Sequence, residues 1–92
     1  MKPVNYDKIK TSERKIVREN YIIHQRGLCQ HCHSDLRYGP PDFIIEKRID
    51  WDLFPPGFLK NPVHLHHNHD TGMTIGAVHA YCNAVLWQYY GE

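Results

Sequence analysis

Two short pairs, Cys29-Gln-His-Cys32 and His79-Ala-Tyr-Cys82, use every cysteine in the chain and add one imidazole. Each pair has the spacing of a zinc knuckle, and together they supply three thiolates and one imidazole, a complete tetrahedral donor set for structural Zn²⁺. In a chain of 92 residues this constrains the fold more than any other feature. A domain so short buries only about 60% of its unfolded surface, so its core needs a staple. Three cysteines cannot pair completely as disulfides. The competing readings are three unrelated buried cysteines acting as small hydrophobes, or a ligand set in which His24, His31 or His33 replaces His79. Only His79 stands in the x-x relation to Cys82.

Composition narrows the class. Hydrophobic residues at 41% and charged residues at 23% fit a globular domain and exclude a mainly disordered chain. The longest apolar runs fall far short of the roughly 20 residues that cross a bilayer, and the opening Met1–Lys8 lacks the apolar centre of a secretory signal. The expected location is therefore a reducing cytoplasm, with no membrane role. The net charge of +1 conceals an asymmetry: residues 1–27 carry seven Lys/Arg against three Asp/Glu, whereas residues 28–92 carry four against seven. This suggests a basic N-terminal arm for a polyanion, with Lys10, Arg14, Lys15 and Arg18 as its contacts, on a more acidic body. A plain solvated helix face explains the same charges.

Thr11 and Ser12 as N-caps and Gly27 past the end predict a helix over 12–26, with Ile9, Ile16 and Ile23, and Val17 and Tyr21 nearby, giving a broad apolar stripe. Residues 43–49 are read as a strand. Val63–His67 and Met73–His79 have strand composition and flank a five-residue turn containing Thr71-Gly72, so they form a hairpin. Ala80–Tyr90 reads as a helix closed by Gly91. The whole, 1–92, is one α+β domain with a strand–strand–helix core at 63–90.

Histidine is over-represented, with eight in the chain and five between His64 and His79. A zinc knuckle takes four ligands, leaving His66, His67 and His69 free on the hairpin, close in sequence to Asn83. Such a group can hold a divalent ion, activate water through an unligated imidazole and act on a phosphodiester. The bland alternative is a solvated His-rich turn.

Leu65–Gly72 followed by Gly76-Ala-Val-His79-x-x-Cys82-Asn83 resembles the ββα-metal (His-Me finger) or HNH nucleases, most closely the phage recombination endonuclease VII family. That family's pattern runs Leu-Asp-His-Asp-His-x-x-Gly, a strand ending in Gly-Leu-Leu-Cys, then x-x-Cys-Asn. The likeness covers residues 29–32 and 63–86. It implies a small zinc-stapled ββα-metal fold and a metal-dependent DNA endonuclease. It also implies that Cys29, Cys32, His79 and Cys82 hold the structural zinc, and that His66 and Asn83 hold the catalytic divalent ion (Mg²⁺, Mn²⁺ or another transition metal). By the same likeness His67 is the general base, and His69 contacts the scissile phosphate. His79 replaces a usual Cys, His66 a usual Asp and Ile75 a frequent Arg. An imidazole at 66 favours transition metals over Mg²⁺. One helix follows the motif, so junction resolution is not carried over. The implied partner is DNA, with a homodimer or a phage partner protein left open.

One geometric condition follows. Adjacent strand residues point to opposite faces, so His66 and His67 can serve one site only if the strand ends or bulges between them. The rival reading from another class is a non-catalytic zinc module that binds nucleic acid or protein; a histidine-rich metal sensor is a third.

Overall fold

The computed structural model describes all 92 residues. Three helices, α1 (Thr11–His24), α2 (Asp42–Ile45) and α3 (Ala80–Tyr90), surround one antiparallel pair of strands, β1 (Val63–His67) and β2 (Thr74–His79). Short 3₁₀ turns lie at Tyr6–Lys8 and Trp51–Leu53. The core, with Tyr21, Cys29, Leu36, Ile44, Leu65, Ala77, Val78, Cys82, Val85 and Leu86, sits where the hairpin, α3 and the Cys29–Leu36 turn meet.

The hairpin connection is built by side chains as well as backbone. Asn68 Oδ1 accepts from the backbone N–H groups of Asp70 (2.8 Å) and Thr71 (3.0 Å), closing an Asx turn. Gly72 follows at φ +76°, where a Cβ would lie 2.8 Å from Asp7 Oδ2 and 2.9 Å from Asn5 Oδ1. The N-terminal segment packs onto this tip: Tyr6 N–H donates to Gly72 O at 2.7 Å and Thr74 N–H to Val4 O at 2.9 Å. Register holds from Val63 opposite His79 to His66 opposite Gly76, then slips so that His67 faces Thr74 and Ile75 is left unopposed. The unopposed residue lies on β2 rather than on β1, and the two histidines do not share one surface: His66 is buried, whereas His67 lies on the cleft described below.

α1 starts at Thr11, with Lys10 rather than Thr11 or Ser12 as N-cap. It ends at His24, two residues before the expected end, because Arg26 and Gly27 both turn left-handed (φ +57° and +76°) and Gly27 N–H returns to Ile22 O at 2.8 Å. The face of α1 toward the core is rotated from the centre of the expected stripe and keeps only its Val17 and Tyr21 side. Ile16 and Ile23 are 58% and 73% exposed, while Tyr21 is buried and Val17 and Ile22 pack against the core. Polar bonds set this orientation. The Tyr21 hydroxyl lies 2.8 Å from Thr74 Oγ1, and the Gln25 amide accepts from Ala77 N–H (2.8 Å) and donates to Ala77 O (2.9 Å), pairing like a strand with the edge of β2.

The strand expected at 43–49 is instead α2 and its exit. Pro41 stands at the N-cap, and only Ile44 is buried, with Phe43 and Ile45 exposed. This backbone pairs with neither strand; the Tyr81 hydroxyl donates to the carbonyls of Ile45 (3.0 Å) and Lys47 (2.8 Å). α3 runs over the expected residues, and Gly91 closes it at φ +70°.

Burial ranks the isoleucines for a test. Ile44→Ala should cost about 2–5 kcal/mol, as for a filled core site, whereas Ile16→Ala should stay within about 0.5 kcal/mol. Denaturant unfolding of the zinc-loaded protein measures both, and equal losses would contradict the rotated face of α1.

Candidate metal centre and adjoining cleft

The donor atoms of Cys29, Cys32, His79 and Cys82 all lie within 4.8 Å of one another. Two elements bring them together. Cys29 and Cys32 sit in a turn whose backbone closes on itself, His33 N–H donating to Cys29 O at 2.9 Å and Cys29 N–H to Ser34 O at 2.8 Å. His79 ends β2 and Cys82 lies in the first turn of α3.

The donor set fits zinc. A tetrahedral ion with bonds of about 2.3 Å to sulfur and about 2.05 Å to nitrogen sets S···N edges of about 3.6 Å. From His79 Nδ1 the distances are 3.4 Å to Cys32 Sγ and 3.7 Å to Cys82 Sγ. His79 Nε2 points away from the sulfurs, 3.1 Å from Asp35 O and 2.9 Å from Tyr38 O. Carbonyls only accept, so Nε2 carries the proton and Nδ1 presents its lone pair to the sulfurs.

Thiol chemistry agrees. A hydrogen bond from Cys82 pulls the Cys29 thiol down to about 4, against the effect of burial. The same bond, then burial, pushes Cys82 up, and burial pushes Cys32 up. One thiolate is thus stable here and three are not, unless a cation joins them. The Cys3His group can therefore hold a structural metal such as zinc.

Beyond α3's first turn lies a cleft of about 420 Å³ lined by Tyr6, Arg14, Arg18, Phe58, His64, His67, His69 and Asn83 among others. Five residues singled out from the sequence meet here: His67, His69, Asn83, Arg14 and Arg18. Lys10 and Lys15 do not line it and are exposed. His66 is only 2% exposed and is not on the cleft wall. Burial lowers its pKa, with the charge of Glu92 and a side-chain hydrogen bond to Asn83 opposing.

His67 is held from one side by a stack. The Tyr6 ring lies parallel to its imidazole with centroids 3.9 Å apart, and the Arg14 guanidinium covers Tyr6 at 3.8 Å. Arg14 Nε also donates to Tyr6 O at 3.1 Å. Burial, then the neighbouring His69, lowers the His67 pKa, while hydrogen bonding to the Leu65 backbone opposes. The exposed His69 tilts toward His67, ring centroids 4.9 Å apart.

Among the cleft residues not assigned from sequence, Tyr6 and His64 contact those that were. Tyr6 is distant in the chain and carries no local signal. His64 could have been found, because a strand of period two puts it on the face of His66. Comparison with protein families, curated proteins and solved structures finds no match. No helix is long and apolar enough to cross a membrane.

The purified protein should contain about one zinc per chain, and Cys29→Ser or a strong chelator should abolish its far-UV circular dichroism, because metal binding supplies folding free energy. A metal-free chain that kept its spectrum would reject the staple.

Proposed function

We propose that this chain is a divalent-metal-dependent DNA endonuclease of ββα-metal type, in which β1, β2 and α3 form the catalytic unit. One observation carries the reading: a half-buried imidazole, His67, shares a single cleft with His69, Asn83, Arg14 and Arg18, and Asn83 follows Cys82 of the Cys3His cluster on α3. Arg14 and Arg18 are one helical turn apart on α1, a spacing that lets both meet adjacent phosphates. The resemblance noted in the sequence supplies the substrate class.

In this reading Arg14 and Arg18 bind backbone phosphates without reading bases. His67, kept neutral by burial, accepts a proton from water as the water oxygen bonds to phosphorus. The P–O3′ bond then breaks, leaving a 5′-phosphate and a 3′ oxygen that takes a proton from solvent. His69 donates to a non-bridging oxygen of the phosphate. His66 and Asn83 would hold the catalytic divalent ion, which when bound supplies positive charge to the phosphate and the departing oxygen.

The deciding experiment incubates zinc-loaded protein with supercoiled and single-stranded DNA in Mg²⁺, Mn²⁺ or Ni²⁺. Wild type should cut. His67→Ala should lose about 10²–10⁴-fold in rate while keeping zinc, melting temperature and DNA affinity. Absence of cleavage under every condition would favour the non-catalytic zinc module, and equal cleavage by His67→Ala would remove it as the base.

The arginines separate by mechanism. Arg18→Ala should weaken binding of all DNA sequences alike and flatten the log–log salt dependence by roughly one unit. Arg14→Ala should do the same and also slow cleavage of bound DNA, because Arg14 covers the Tyr6 ring that stacks on His67. Single-turnover cleavage at saturating protein measures the second effect; indistinguishable variants would make the stack incidental.

A further inference from the structure

We propose that His64 is a positioning residue for Asn83: its imidazole accepts a hydrogen bond from the Asn83 amide nitrogen and so turns the amide oxygen toward the divalent ion. This rests on the nuclease reading and extends it to a residue with no role there.

The geometry is specific. Asn83 Nδ2 lies 3.1 Å from His64 Nδ1. An amide nitrogen only donates, so His64 Nδ1 is the acceptor and the proton of this neutral imidazole sits on Nε2. With Nδ2 committed to His64, the remaining donor atom of Asn83 is its carbonyl oxygen, the end that can ligate a cation. His64 and His66 are two residues apart on β1 and project from the same face, so they bracket the residue that α3 brings between them.

The imidazole is itself held. The Phe58 ring packs edge-on against it, centroids 4.6 Å apart and planes 72° apart. Phe58 in turn packs against Phe54, and Phe54 against Trp87 of α3. The loop carrying these rings is tied back to α3, where Gln88 Nε2 donates to Arg48 O at 3.0 Å and Gln88 Oε1 accepts from Asp50 N–H at 2.9 Å. The orientation of Asn83 thus depends on a chain of contacts that starts and ends on the helix bearing it. An asparagine amide without this partner would have to be ordered by the ion itself when the ion binds. Loss of such an orienting partner typically costs 10–100-fold in metal affinity.

The experiment has two readouts. Mn²⁺ titration of the zinc-loaded protein by calorimetry should show affinity reduced about 10–100-fold in His64→Leu. His64→Gln retains an acceptor oxygen at similar reach and should recover most of it. Independently of any ion or activity, the Asn83 side-chain amide resonances, assigned by their loss in Asn83→Asp, should move in His64→Leu and stay near their wild-type positions in His64→Gln. Zinc content and melting temperature report folding for each variant. Unchanged Mn²⁺ affinity in a folded His64→Leu would overturn the proposal. So would equal loss in Leu and Gln variants with unmoved Asn83 amide signals, which would make His64 a direct ligand. A wild-type protein that binds Mn²⁺ but cuts no DNA would reject the nuclease reading and leave this test of Asn83 intact.

Discussion

Everything else in this fold depends on the convergence of three sulfurs and one imidazole. The Cys29–Cys32 turn and the β2–α3 junction are far apart in sequence, and the stretch from the turn to the start of the hairpin holds only a four-residue helix, a 3₁₀ turn and loops with few buried side chains. A structural zinc contributes an apparent ~10–16 kcal/mol in small zinc-binding peptides, and a whole domain is stable by only about 5–15 kcal/mol. The metal term therefore matches the entire net stability expected of a chain this size. Hydrogen bonds spread the restraint outward: Gln30 N–H donates to Ala77 O at 3.0 Å, and Leu36 N–H to Gly27 O at 2.8 Å. At Gly76 any Cβ would lie 2.8 Å from both Gln25 Oε1 and Gln30 Cγ, so the turn, α1 and β2 meet without room to spare.

The same cluster governs the cleft. Cys82 and Asn83 are consecutive on α3, so fixing the sulfur fixes the start of the amide side chain. The hairpin does the rest: successive residues of β1 alternate in direction, which leaves His66 buried and His67 on the cleft.

What was legible in the sequence was whatever local chemistry dictates. Cysteine spacing marked the metal cluster, Asn68 to Gly72 marked the turn, and Ala80–Tyr90 was bounded by an uninterrupted helical composition and by Gly91. What was not legible depended on tertiary partners. Of the broad stripe of Ile9, Ile16, Val17, Tyr21 and Ile23, Val17 and Tyr21 do meet the core, yet the hydrogen bonds of Tyr21 and Gln25 to β2 turn Ile16 and Ile23 to solvent. Residues 43–49 have strand composition, but their backbone pairs with neither strand, and the Tyr81 hydroxyl satisfies the carbonyls of Ile45 and Lys47 instead. The N-terminal charges read as an arm; the chain ahead of α1 is instead stitched to the hairpin tip through Val4 and Tyr6.

That stitching changes what the basic residues do. Arg14 and Arg18 face the cleft, and their charges disfavour protonation of His67 and His64 respectively, adding to the effect of burial. Positive charge that attracts a phosphate also keeps the nearby imidazoles unprotonated while the cleft is open. An arriving phosphate brings negative charge to the same place, which offsets the guanidiniums and makes proton acceptance by an adjacent imidazole more favourable. Under the proposed reaction this ordering is useful: His67 is neutral before DNA binds and becomes a stronger base when the bond to be cut is beside it. Tyr6 links the two groups, its ring stacking on the neutral His67 imidazole at 3.9 Å and carrying the Arg14 guanidinium at 3.8 Å, so the cation sits close to the base without a direct contact between them.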